Sequence, residues 1–241
     1  MSRTKRPIKT TETVILVILA AGLVFLGVKL FQLRETDRQY RAIEEAVGTE
    51  DGLSDLAAEN REVIAWLRVD GTAIDYPVTQ AGDNIKYVGT DVKGKSSFAG
   101  NPFLDHRNDP GFTDVYSIIY GHDMEDHLMF SDLSLFLEKE FWNGEKKGSL
   151  LLTDGQRLNI RFFAVVKAKA SDNRFMDPLM VRNNWEKEFW DEMMSCASIA
   201  TDTIDGSDHI IALSTCSSAG SEERIVLLGK ILRQYSEQDN D

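Results

Sequence analysis

The sequence predicts a mostly β protein with helices. The expected fold is a closed, mostly antiparallel barrel of about seven or eight strands, with helices at its N-terminus and a helix in the long stretch before the last two strands. Three observations lead there. Short apolar runs bounded by Gly, Asn, Asp and Pro recur from residue 63 to residue 235. No strand–helix alternation of βαβ kind appears between them. A chain of 241 residues, 42% hydrophobic and 27% charged, is a globular domain with an appendage.

The appendage comes first. Residues 1–9 hold Arg3, Lys5, Arg6 and Lys9 and no acid. Thr13 to Leu33 then forms a 21-residue run whose one charge is Lys29. At ~1.5 Å per residue such a helix spans the roughly 30 Å hydrocarbon core of a bilayer. Lys29, near the far end, would snorkel to the headgroups. The basic head places the N-terminus in the cytoplasm and the rest of the chain outside. A cleaved signal peptide is the rival: Ala20-Ala21-Gly22 is small enough for cleavage, but the apolar run continues through Val28.

The elements follow in order. Glu35 to Val47 is charged, with Tyr40, Ile43 and Val47 at helical spacing, and reads as a stalk. Gly48 to Gly52 breaks it, and Ser54 is the expected N-cap of a short helix. Strands are expected at 63–71, 74–80, 96–105 and 115–124. A helix follows at 129–137, capped by Ser131. Residues 148–170 form a hairpin with Asp154-Gly155 at its turn. Trp185, Phe189, Met193 and Cys196 share one face of a helix over 183–200. The final strands are 209–216 and 224–235. The domain boundaries drawn from this are 1–12 (basic segment), 13–33 (anchor), 34–59 (stalk and helices), 60–235 (barrel) and 236–241 (solvated tail).

Charge narrows the function. The net charge is −12, and residues 35–241 alone carry 21 basic and 38 acidic residues, net −17. That excludes general nucleic-acid binding, which needs a basic face. It also disfavours tight docking on an anionic surface.

Three residues could do chemistry. Cys216 ends an apolar strand beside the polar loop "SSAGSEE". To act as a nucleophile it needs a nearby cation. Arg224 lies eight residues on and returns close to Cys216 if the last two strands pair antiparallel. There it would stabilise a thiolate or an oxyanion. The competing reading is a small buried Cys and a surface Arg. His122 ends another strand, in "IIYGHDM". Its preceding Gly121 suggests a backbone that something approaches closely. The bland alternative is a turn histidine capping the strand.

Taken together these motifs resemble a known family. "YGHDM" followed by "MFSDLSLF", then "LSTC", then Arg eight residues after the Cys, is similar to the sortases, specifically class B. "NPFLDHRND" upstream and the helix-bearing insertion before the Cys strand resemble that class too. The likeness covers about 60–235 plus the anchor. One departure stands out: the family's TLxTC appears here as "ALSTC", with Ala212 in place of Thr. A change there alters packing or a local hydrogen bond rather than the chemistry.

The resemblance implies a sortase-like barrel and a membrane-anchored cysteine transpeptidase of a Gram-positive cell envelope. Cys216 would cleave a C-terminal sorting signal of NPxTx or PPxTG kind after Thr and form a thioester. His122 would protonate the leaving amine and deprotonate the incoming one. Arg224 would hold substrate and oxyanion. The acceptor would be an amine of a cell-wall precursor or a pilin. Asn84, Val88, Tyr120 and Ser214 are the implied substrate-binding residues, and loop 171–183 an implied contributor to specificity. No cofactor is implied. A tethered binding or assembly protein and a hydrolytic cysteine protease are the alternatives on the same fold.

Other polar clusters read as structural. His122 and His127 lack the i, i+4 spacing of a zinc helix. Asp202, Asp205 and Asp208 lack the density of a calcium loop and read as a solvated loop. Cys196 reads as a buried core thiol, with a Cys196–Cys216 disulfide as its rival. His106 and His209 have no partner visible in sequence.

Overall fold

The computed structural model describes residues 10–47, 50–124, 127–144, 146–184, 186–216 and 222–232. Two compact units divide at Arg41/Ala42. In the first, helix α1 (Thr10–Val47) runs unbroken for 38 residues, so the apolar run and the predicted stalk share one helix. Its Glu12–Gln32 stretch has a mean hydropathy of 2.7 and no buried surface. Every side of that stretch is apolar, which suits lipid rather than a protein core.

The second unit opens on the last turns of α1, and its first complete element is α2 (Glu50–Glu59). The helix starts four residues before Ser54, which therefore is not its cap. Gly52 lies inside it at a cost of about 1 kcal/mol. Burial of Leu53 and Leu56 offsets that cost, and α2 packs on the first strand.

Nine strands follow: β1 (Val63–Val69), β2 (Asp75–Thr79), β3 (Phe103–Leu104), β4 (Tyr116–His122), β5 (Lys147–Leu152), β6 (Arg157–Lys169), β7 (Ala197–Ala200), β8 (Ile210–Cys216) and β9 (Glu223–Leu232). Their order is β5-β1-β2-β3-β4-β8-β9-β6, and a β5–β6 pairing closes the ring at eight strands, with β7 an extra strand on β6. The barrel is mixed: β2–β3 and β4–β8 are parallel. Closure removes the open edges that would otherwise pair with other chains.

The β1–β2 turn uses Gly71 at φ 78° and the β5–β6 turn Gly155 at φ 87°, as the two predicted hairpins require. The predicted 96–105 strand shrinks to Phe103–Leu104, because the preceding residues turn through Gly100 at φ 61°. Residues 129–137 form a 3-10 helix, Ser131–Leu137, rather than an α-helix. Ser131 is its first residue and donates from Oγ to the Leu128 carbonyl, so it does not cap it. The short α3 (Lys139–Trp142) follows.

The insertion between β6 and β8 holds α4 (Asn173–Met176), α5 (Pro178–Asn183) and α6 (Lys187–Ser195). The predicted 183–200 helix is thus shorter, and its last residues form β7. Met193 of the predicted stripe is fully buried, Phe189 is half-buried, and Trp190, outside the stripe, is buried beside Met193; Trp185 lies outside the described residues. Cys196, at the C-cap, is exposed rather than buried.

Phe175, Val181, Trp190 and Met193 of the insertion cover Ile118, Ala212 and Leu228 on the outside of the barrel. The alternate residues Ile119, Leu213 and Leu227 are also fully buried. Strands buried on both faces read as continuous apolar runs, which is why β8 and β9 were legible without alternation.

Candidate active site

Strands β4 and β8 run parallel, so their C-terminal ends reach the same rim of the barrel. Their register pairs Tyr120 with Ser214 and His122 with Cys216. Neighbouring strands lie about 4.8 Å apart, which fixes how close the two chain positions are. Strands β8 and β9 are antiparallel, with Ser214 opposite Val226. The same register, continued by two residues, brings position 216 level with Arg224. The predicted return of Arg224 toward Cys216 follows from that register. The Cys216 side chain and residues 217–221 lie outside the described set.

His122 Nε2 lies 2.7 Å from the carbonyl oxygen of Val88. Val88 ends a 3-10 helix, Lys86–Val88, and is itself 39% exposed. Two glycines make this approach feasible. A Cβ on Gly100 would sit 2.4 Å from the Tyr87 carbonyl oxygen and 3.1 Å from His122 Cδ2, and φ there is positive. A Cβ on Gly121 would sit 2.5 Å from Cγ of Phe130. The close approach expected at Gly121 is therefore a ring of this chain; the role of Gly100 was missed from sequence.

Arg224 enters a cleft of about 370 Å³. Its Nη1 is buried and has no hydrogen-bond partner among the described residues. A guanidinium nitrogen left without a partner in a concave site can donate to an anionic oxygen. Asn84, Val88 and Tyr120 also line the cleft. Ser214 does not; it is fully buried behind Met176, whose Sδ is 3.7 Å from the Ser214 Oγ. Phe103, Arg107, Met176 and Asp177 line the cleft without having been predicted individually. The last two come from the insertion, where the predicted loop 171–183 is largely α4 and α5.

Asn84 and Tyr120 are not idle polar groups. The Asn84 Nδ2 donates to Asp105 Oδ2 at 2.8 Å, and its Oδ1 accepts from the His106 N–H. The Tyr120 hydroxyl is 3.1 Å from Asp105 Oδ2. Burial, reinforced by the Asp105 charge, pushes the Tyr120 phenol well above its usual range, so it stays a neutral donor. Burial also opposes ionisation of Asp105. The Arg107 fork and backbone N–H outweigh it and hold that carboxyl below the usual carboxylate range.

The other clusters have internal partners. Asp132 Oδ1 lies 2.5 Å from His127 Nδ1, and Asp132 Oδ2 accepts from the Ala73 N–H. Lys230 Nζ lies 2.8 Å from Asp208 and 3.5 Å from Asp202, so part of the acidic loop neutralises a buried lysine. His106 stands 3.7 Å from Asp105, and His209 Nδ1 lies 3.0 Å from the Asp114 carbonyl. Ala212 is fully buried against the insertion side of the barrel, where a hydroxyl would need a partner of its own.

No protein-family model matches the chain. Sortase B of Listeria monocytogenes is 32% identical over 186 residues, covering 76% of this chain and 74% of the relative. A Streptococcus pyogenes class B sortase involved in pilus biogenesis superposes with a TM-score of 0.69 at 36% identity, covering 74% of this chain and 96% of that one. A Staphylococcus aureus sortase B–substrate complex shares the fold, with a TM-score of 0.76 at 24% identity over 85% of this chain and all of that one. With this barrel and this extent of identity, the chain belongs to the class B sortases, cysteine transpeptidases.

Proposed function

We propose that Cys216 is the nucleophile, His122 the proton carrier and Arg224 the oxyanion and substrate clamp. The thiolate attacks the carbonyl carbon of Thr in a C-terminal sorting signal of NPxTx or PPxTG kind. A sulfur–carbon bond forms and the carbonyl oxygen takes the negative charge, facing the Arg224 guanidinium. Collapse breaks the carbon–nitrogen bond, and His122 gives a proton to the departing amine. The thioester then meets an amine from a cell-wall precursor or a pilin. That amine loses a proton to His122, an amide bond forms, and the thiolate is released.

The single observation that carries this reading is the register pairing His122 with Cys216, with Arg224 arriving on the adjacent strand. The relative from Streptococcus pyogenes, described as involved in pilus biogenesis, keeps a pilin amine among the acceptors.

The reading extends to the envelope. Residues 1–12 lie in the cytoplasm, 13–33 cross the membrane once, and 34–59 lead to the barrel of 60–235; residues 1–9 and the expected tail, 236–241, lie outside the described residues. The outward-facing transpeptidase then meets its secreted substrates at the membrane of a Gram-positive cell. The exposed, predominantly apolar Glu12–Gln32 stretch of α1 supports the single span.

The test is mass spectrometry of the chain with NPxTx, PPxTG and LPxTG peptides, with and without an amine acceptor. An adduct on Cys216 plus an amine-dependent product is expected. Cleavage that ignores the amine would favour a hydrolytic protease. Peptide binding without any adduct would favour a tethered binder.

A further inference from the structure

One buried carboxylate joins three walls of the cleft. Asp105 follows β3 and its side chain is fully buried. Oδ1 accepts from the backbone N–H and the Nε of Arg107, at 3.0 and 2.9 Å. Oδ2 accepts from Arg107 Nη2 at 2.9 Å and from Asn84 Nδ2 at 2.8 Å, and lies 3.1 Å from the Tyr120 hydroxyl. Asn84 stands in the turn before the 3-10 helix that carries Val88. Tyr120 stands on β4, two residues before His122.

Arg107 carries the connection to the insertion. Its Nη1 donates to Asp177 Oδ1 at 2.9 Å and its Nη2 to the Met176 carbonyl at 3.3 Å. Asp177 Oδ1 in turn caps α5 by accepting from the N–H groups of Leu179 and Met180. A planar fork fixes direction as well as distance, so the pair holds the α4–α5 wall at a set position over β4. Both polar atoms of the Asn84 amide are already engaged with Asp105 and His106, so Asn84 serves the cleft by its place in this network. Among the described residues Asp105 makes no hydrogen bond or ion pair with Arg224 at the reacting end of the cleft.

We propose that Asp105 is a positioning residue: through Arg107 it clamps the α4–α5 wall against β4 and the 84–88 turn, and so sets recognition of the sorting peptide without setting the reactivity of the thiol. This rests on the transpeptidase reading above. Its physical content, a clamped wall, stands apart from that reading and is tested apart from it.

The experiment uses the full chain in detergent micelles. Asp105→Asn keeps the shape but turns a donor toward the Arg107, Asn84 or Tyr120 donors. Two readouts are taken. Amide hydrogen exchange over 173–183 is expected to speed up by about tenfold, reporting local release of the wall. With the peptide that labels wild type, KM is expected to rise about tenfold with kcat changed by less than about threefold, and alkylation of Cys216 by iodoacetamide is expected to stay within about twofold. Unchanged exchange overturns the clamp whatever the peptide result. Faster exchange with unchanged KM overturns the recognition role, as does an iodoacetamide rate that falls along with peptide turnover. If wild type forms no adduct with any peptide, the transpeptidase reading fails while exchange still decides the clamp. Should Asp105→Asn not fold, Asp177→Asn decides: Asn preserves the α5 cap and removes the charge that Arg107 meets on the insertion, and the same two shifts are expected at about threefold, their absence overturning the inference.

Discussion

The Nε2 of His122 lies 2.7 Å from the carbonyl oxygen of Val88. A carbonyl only accepts, so Nε2 carries a proton in this arrangement. The nitrogen whose proton can come and go is then Nδ1, unless the ring leaves Val88. The Lys86–Val88 turn is therefore both a wall of the cleft and the holder of the imidazole.

Replacing Cys216 with Ala should abolish the acyl-enzyme and leave the fold unchanged. Intact-mass spectrometry with peptide and a thermal melt together check this. Replacing His122 with Ala should cost about 10²–10⁴ in turnover, the usual worth of a positioned acid–base group. Turnover surviving in the Cys216 variant would sink the nucleophile assignment.

Arg224→Lys should lose most activity, by about 2–3 kcal/mol of transition-state stabilisation, or roughly a hundredfold in kcat/KM. A compact ammonium cannot present a planar fork into the cleft where Nη1 is buried. Steady-state kinetics on the peptide that labels wild type decides it, and near-native rates would leave Arg224 a packing role.

Gly121→Ala should destabilise the barrel by about 1–3 kcal/mol, the range for forcing a methyl into a filled site. The added Cβ would lie 2.5 Å from Cγ of Phe130 and must displace that buried ring or the strand that delivers His122. Urea denaturation measures the loss; a wild-type midpoint would mean that the ring moves freely.

Acid should release the cleft wall. The Asp105 carboxyl is held below its usual range, so the folded state favours its ionised form. Its contribution is present above the unfolded value of about 3.9 and disappears as pH falls through the lower folded value. Protection of the 173–183 amides, measured against the unstructured exchange rate at each pH, should therefore fall below about pH 4, while in Asp105→Asn this acid response should be flatter. Parallel pH dependence in the two proteins would assign the acid response to other carboxylates, such as Asp172 beside Arg174.

A chain lacking residues 1–34 should be soluble and retain peptide turnover. It keeps net charge −17 and every residue of the cleft. Gel filtration and the peptide assay check this; aggregation would move the boundary of the anchor.

Sequence alone determined the parts whose cause is local. Apolar runs with turn residues between them gave the hairpins at Gly71 and Gly155, because left-handed backbone there demands glycine. The length of the apolar run gave α1, and the strand-end positions of His122, Cys216 and Arg224 gave the candidate set. Tertiary structure decided what depends on partners far along the chain. The parallel β4–β8 pairing sets His122 beside position 216 across 94 residues, and no local pattern encodes which strands become neighbours. Packing buried Trp190 of α6 beside the predicted Met193 and drew α2 through Gly52, since buried area outweighs intrinsic helix preference. The need for Gly100 appears only when the Tyr87 carbonyl and the His122 ring converge on it. Asp105 reads in sequence as one more turn aspartate; its role emerges only when folding removes it from water and surrounds it with donors from three segments of chain.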